Sequence, residues 1–304
     1  MTVSPKSRAP RSVQVALAVL LMIVPVGLLG LGHESASAGK AAKGPYCGAA
    51  VPKPTGGTWK CTFVDEFAGT ALDTNKWVPI RTYANGYRNG PECYVNSPEN
   101  ISVANGALSL SVRKYPKTFY CSSPFGNFYT DWTAGYVSTW NRFAQTYGRF
   151  EIRAKFPDAK TRGIHSALWL WPKDAAKYGA YPASGEIDIA EFYSHWPDRA
   201  VPYVHYVGDD LDAARTSESC MVTAPENWHT YVLVWTAKTL TIQYDGKTCL
   251  VNNWQPTTLT KPAPFDQPFY LNLTQALGTG WNSFDPDNTP LPATMQVDYV
   301  RVWS

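Results

Sequence analysis

From Thr62 to Ser304 the chain is broken at short intervals by Gly, Pro, Asn and Asp, and the segments between these breaks alternate apolar and polar residues, with little sustained helical periodicity. Candidate strands lie at Ile101 to Val103, Ala107 to Arg113, Ala134 to Thr139, Tyr147 to Lys155, Ser166 to Trp171, Glu186 to Phe192, Thr230 to Thr236, Leu240 to Tyr244, Phe269 to Thr274 and Met295 to Trp303. Successive side chains of a strand point to opposite faces, so YGRFEIRAK and MQVDYVRVW each present one apolar and one polar face. Asn105-Gly106 and Asp245-Gly246 are dipeptides that accept the positive φ angles of a type I′ hairpin turn. The pattern predicts one all-β domain, a two-sheet antiparallel β-sandwich, with no internal repeat and no composition break.

What precedes this domain has a different character. Lys6, Arg8 and Arg11 form a basic start, Val15 to Gly32 is almost wholly apolar, and Ala36-Ser37-Ala38 offers a small-x-small cleavage site. Residues 1–38 therefore read as a secretory signal, 39–58 as a linker and N-terminal segment, and 59–304 as the main folded domain. The mature chain is expected to be extracellular and monomeric, with no stable membrane association after cleavage. Six cysteines in an exported chain are most simply three disulfides, and the short-range pairings are Cys47 with Cys61, Cys93 with Cys121 and Cys220 with Cys249. A zinc site lacks the C-x-x-C or clustered His/Cys spacing it requires. Without Lys6, Arg8, Arg11 and Glu34, the 27 basic and 24 acidic residues come almost into balance, which argues against nucleic acid as a partner. With 14% aromatic and 17% charged residues, the composition suits an uncharged partner with flat apolar faces, as sugar rings have.

Ser184-Gly185-Glu186-Ile187-Asp188-Ile189-Ala190-Glu191-Phe192-Tyr193 sets three carboxylates in a β-prone apolar run. In a regular strand Glu186 and Asp188 share a face and Glu191 points away. One extra residue in a β-bulge around Ile189 and Ala190 returns Glu191 to the same face, and bulges concentrate beside active sites for this kind of re-aiming. Crowded carboxylates cannot all ionise at their ordinary pKa, so an acid and a base come to lie side by side, as glycosidase chemistry requires. A generic pattern of this length also occurs on solvent-facing edge strands, but Ile187, Ile189 and Phe192 in the intervening positions favour a buried strand with one functional face.

With these features in hand the chain resembles glycoside hydrolase family 16, the laminarinase and lichenase group, from about Phe63 to Trp303. The resemblance is carried by Phe63-Val64-Asp65-Glu66-Phe67 with Trp77, by Glu92-Cys93-Tyr94, Asn100-Ile101 and Asn105-Gly106, and by Tyr147-Gly148-Arg149-Phe150-Glu151. It continues through the Glu186 to Glu191 signature, Trp228-His229-Thr230-Tyr231 with Trp235, and Val297-Asp298-Tyr299-Val300-Arg301-Val302. It implies a concanavalin-like jelly roll and a retaining endo-β-glycosidase, with Glu186 as nucleophile, Glu191 as general acid/base and Asp188 tuning Glu186. It places Trp169, His205, Asn89, Glu92 and Gln275 as substrate-binding residues. Many relatives have Trp-Pro where this chain has His165-Ser166, which opens the question of the accepted polysaccharide. No cofactor is implied; a structural calcium on Glu66, Gly106 and Asp298 is an option, the alternative being that Asp298 pairs with an arginine.

The function so implied is exported hydrolysis of β-1,3 or mixed β-1,3/1,4-glucan. The same fold hosts galactan hydrolases of the agarose and carrageenan type and transglycosylases, for which His165, Arg81 or Arg142 would read an anionic substrate. A lectin on this sandwich would need no cleft acids, and a serine hydrolase would need a G-x-S-x-G elbow, which the chain lacks.

Overall fold

The computed structural model describes residues 45–209 and 212–304, so the expected leader at 1–38 and the beginning of the linker lie outside the described residues. The strands in chain order are β1 (Cys61–Asp65), β2 (Val78–Pro79), β3 (Cys93–Tyr94), β4 (Ile101–Ala104), β5 (Ala107–Cys121), β6 (Phe128–Ala134), β7 (Tyr136–Ser138) and β8 (Gly148–Lys155). There follow β9 (Ile164–Pro172), β10 (Glu186–Tyr193), β11 (Val201–His205), β12 (His229–Trp235), β13 (Leu240–Tyr244), β14 (Lys247–Asn252), β15 (Phe269–Leu277) and β16 (Ala293–Trp303). One sheet runs β14-β13-β12-β8-β16-β5-β6-β3, with β1 against β16 and β4 against β5; the other runs β11-β10-β9-β15-β7-β2. Every pairing is antiparallel except that of β3 with β6.

Alternation builds the core. In β8, Phe150, Ile152 and Ala154 are buried between partly exposed Arg149, Glu151 and Arg153. They stand in register with Leu233, Tyr231 and His229 of β12. From the six-stranded sheet, Leu168, Leu170, Ile187, Ile189, Phe192, Leu271 and Leu273 belong to the same buried cluster, and Phe156 stacks on Phe192 with centroids 5.2 Å apart. Each such side chain contributes about 1.5–3 kcal/mol by leaving water, before the entropy of ordering it is set against this. Both predicted hairpin turns form, with φ of 54° and 75° at Asn105-Gly106 and 48° and 77° at Asp245-Gly246.

All three disulfides pair as the short-range reading expects, Cys47 with Cys61, Cys93 with Cys121 and Cys220 with Cys249. The structure differs from the sequence reading chiefly in added strands. β5 does not stop at Arg113 but continues to Cys121, pairing with an unforeseen β6 across a register shift between Lys114 and Phe119. β11 was hidden by Pro202, whose missing N–H is tolerated because β11 is the edge of its sheet.

Candidate active site

Strand β10 carries the site. Against β9, Asp188 stands opposite Trp169 and Ala190 opposite Leu168, so Ile189 is the extra residue of a bulge. Against β11 the register likewise shifts between Asp188 and Glu191, where Pro202 offers no N–H to the disrupted ladder. Glu186, Asp188, Glu191 and Tyr193 consequently share one cleft face, while Ile187, Ile189 and Phe192 stay in the core. A bulge frees a backbone group, and here the Ile189 carbonyl accepts a hydrogen bond of 2.8 Å from the buried Tyr244 hydroxyl of the opposing sheet. Tyr244→Phe removes this buried bond, so we expect a stability loss of about 1–3 kcal/mol in urea unfolding together with reduced turnover as Glu191 loses its fixed aim. Unchanged stability and turnover would show that the bulge does not depend on this bond.

The three carboxylates have different surroundings. Burial, then the neighbouring Asp188 carboxylate, pushes Glu186 well above the usual carboxylate range. Asp188 is also driven well up, first by burial and then by Glu191, while its Oδ2 lies 2.9 Å from His205 Nε2. Burial alone would raise Glu191 as well, but donors outweigh it and hold this group below its ordinary value: His165 Nε2 at 3.0 Å and the Tyr193 hydroxyl at 2.7 Å, both on Oε1, with His205 nearby. Burial lowers His205, against the pull of Glu186 and Glu191. Protons in the ligand-free cleft are therefore retained by Glu186 and Asp188 to higher pH than by Glu191, and the cluster titrates as a unit.

Around these groups lies a pocket of about 320 Å³ lined by Tyr87, Asn89, Trp169, Tyr181, Tyr203 and Thr274 besides the acids and histidines. Trp169 donates its indole N–H to Thr274 Oγ1 at 2.9 Å and also lines an adjoining groove of about 560 Å³. Trp171, Tyr136, Trp140, Tyr270 and Phe125 supply the aromatic walls of that groove, and Arg88 also lines it, its Nε donating to the Gly90 carbonyl at 2.7 Å and its guanidinium lying over Phe128. Aromatic faces of this kind match the CH-rich faces of pyranose rings.

Of the residues expected to bind substrate, Trp169, His205, Asn89 and His165 meet at the pocket. Glu92 and Gln275 do not. Glu92 is fully buried behind the pocket, accepting hydrogen bonds from the Gly90 N–H and the Tyr94 hydroxyl. Gln275 adjoins the cleft-facing Thr274 on β15, so alternation turns it inward, where its Oε1 accepts from Ser166 at 2.7 Å. The proposed charge readers fare similarly: Arg142 donates to the Thr74 carbonyl and Arg81 lies over Tyr83, and neither lines the pocket or the groove. Arg88, which does line the groove, was not foreseen, nor were Tyr87, Tyr181 and Tyr193. Tyr193 follows Glu191 by two residues, so the strand period alone could have found it; Tyr181 sits in the loop between β9 and β10, where no period applies.

The calcium option does not fit. Glu66 is held by Arg301 through contacts of 2.7 and 2.9 Å, and Asp298 is paired with Arg153. A cation at either acid would face a guanidinium that already neutralises it. Among the described residues, Glu186, Asp188 and His205 bring ligand-type atoms within 4.8 Å of one another, but the Asp188–His205 hydrogen bond and the raised acids account for that grouping as a proton-sharing network.

Comparison with known proteins agrees with this geometry. The family described as the beta-porphyranase A-D GH16 domain matches residues 60–304. The chain is similar to glucan endo-1,3-beta-glucosidase A1 of Niallia circulans, 35% identical over 264 residues that make up 79% of this chain and 37% of that protein. It is also similar to the keratan-sulfate endo-1,4-beta-galactosidase of Sphingobacterium multivorum, 34% identical over 173 residues, 56% of this chain and 40% of that one. The chain thus spans about two fifths of the length of each. The solved laminarinase of Rhodothermus marinus superposes with a TM-score of 0.68 at 29% identity, covering 81% of this chain and 97% of that structure.

Proposed function

Because the chain belongs to glycoside hydrolase family 16, we propose that it cleaves neutral β-glucan internally, at β-1,3 or mixed β-1,3/1,4 linkages, by retaining double displacement. The observation that carries the reading is the Ile189 bulge, which brings Glu186, Asp188 and Glu191 onto one face beside an aromatic groove large enough for further sugar rings. Glu186 is the nucleophile, and Asp188 holds a proton beside it so that Glu186 can ionise. Glu191 protonates the glycosidic oxygen as Glu186 attacks the anomeric carbon, then removes a proton from the water that releases the sugar. A sugar seated in the pocket displaces water from Glu191, which raises its pKa toward the acid form that this step needs. His205 keeps Asp188 in place, and Trp169 offers its ring to the bound sugar. The three disulfides support export of the mature chain.

A second reading has its own support. The porphyranase-type match, the keratan-sulfate-cleaving relative and Arg88 in the groove lining favour a galactan, sulfated or not, on the same machinery. A panel of laminarin, lichenan, agarose, porphyran and keratan sulfate, assayed at low and high salt, separates the two. A neutral glucan should be cut into oligosaccharides with kcat/KM nearly independent of ionic strength, since no counterions are released on binding. Cleavage confined to a sulfated polymer, with a steep salt dependence, would replace the glucan reading with the galactan one.

A further inference from the structure

We propose that His165 is a positioning residue for the acid/base: with Tyr193 it fixes Glu191 through Oε1, reserves Oε2 for the glycosidic oxygen, and thereby sets the alkaline limit of catalysis. The inference rests on the reading of Glu191 as acid/base. Its basis is geometric. His165 and Tyr193 are cross-strand partners on β9 and β10. Their rings stack, with centroids 4.7 Å apart and planes 5° from parallel. Each contacts the same oxygen, at 3.0 and 2.7 Å. Both His165 and Glu191 are largely buried, with side chains 16% and 14% exposed, so water competes little for the contact. His165 occupies the position where the resemblance implies a tryptophan, so the contact is a feature of this chain rather than of the motif.

The chemical consequence follows from which oxygen is occupied. Two donors on Oε1 orient the carboxyl and stabilise its ionised form, so Glu191 gives up its proton at lower pH than it otherwise would. Other groups face the cleft around it: Glu186 and Asp188 on its own strand, His205 and Tyr203 from β11, Tyr87 from the segment before β3, Tyr181 from the β9–β10 loop and Tyr244 from the opposing sheet, while Glu92 behind the pocket acts on His165. Tyr193 and His205 act with His165 to lower Glu191, Tyr193 through its own hydrogen bond. Without the imidazole donor the ionised form loses stabilisation and the pKa of Glu191 rises. The enzyme should then keep its acid to higher pH.

The test is the pH profile of kcat at saturating substrate, which reports the pKa values of the substrate complex, for the wild type, His165→Phe and His165→Gln on an unactivated oligosaccharide, with folding checked by circular dichroism. His165→Phe should move the alkaline limb up by about one pH unit. His165→Gln, which can still donate an N–H, should restore most of the wild-type limb. An unmoved or lowered limb in His165→Phe, or an equal upward shift in both variants, overturns the proposal. The same profiles on a dinitrophenyl glycoside, whose leaving group needs no acid, should show no shift of the limb, and a shift there would overturn it as well. Failure of the underlying reading looks different: Glu191→Gln would then lose activity equally on both substrates.

Discussion

Glu186→Ala is expected to lower turnover on the preferred polysaccharide by roughly 10⁴-fold or more, while leaving the fold and its thermal unfolding nearly unchanged. The size of the effect follows from the mechanism, since without a carboxylate at this position no covalent intermediate can form and the remaining groups only bind and orient. Stability should not suffer. The carboxyl lies in a crowded acidic cluster in which burial and Asp188 both disfavour its ionised form. Removing it takes away little packing and relieves some repulsion. Residual turnover within a factor of ten of the wild type would remove Glu186 from the chemistry.

Glu191→Ala should produce a comparable loss on polysaccharide but a far smaller one on a substrate with an activated leaving group. Protonation of the departing oxygen contributes about 10²–10⁴-fold, and a dinitrophenolate departs without it. On such a substrate the first step should therefore survive while the second, which needs Glu191 as base, slows, giving a burst followed by a low steady rate. Equal losses on both kinds of substrate would mean that Glu191 has no proton-transfer role.

The grouping of the three carboxylates was legible in the sequence because it depends on period and phase, whereas the roles proposed for them come from the resemblance. Two-residue alternation aligned Glu186 with Asp188, and the misplacement of Glu191 by that same alternation called for the bulge that the structure has at Ile189. The hairpin turns and disulfide pairings were readable for the same reason, as each is local in the chain. What the sequence could not supply was contact between distant segments. The Tyr244 hydroxyl that satisfies the bulge comes from the other sheet. Whether Gln275 faces cleft or core depends on the phase of β15 relative to Thr274. Glu66 and Asp298, both suitable as oxygen ligands by type, were already matched to Arg301 and Arg153 on strands that only the fold brings near. His165 was visible as a departure from the resemblance, but its partner Glu191 became evident only through the pairing of β9 with β10.

In the proposed mechanism Glu186 attacks one face of the sugar while Glu191 serves the other. This division of roles is tested most directly by adding azide to Glu186→Ala with an activated β-glucoside and determining the anomeric configuration of the product by proton NMR. Azide entering the space left by the missing nucleophile should restore turnover and yield the α-glycosyl azide. A β-glycosyl azide from this variant would contradict the account, because it would place the vacated face on the acid/base side and exchange the roles of the two glutamates.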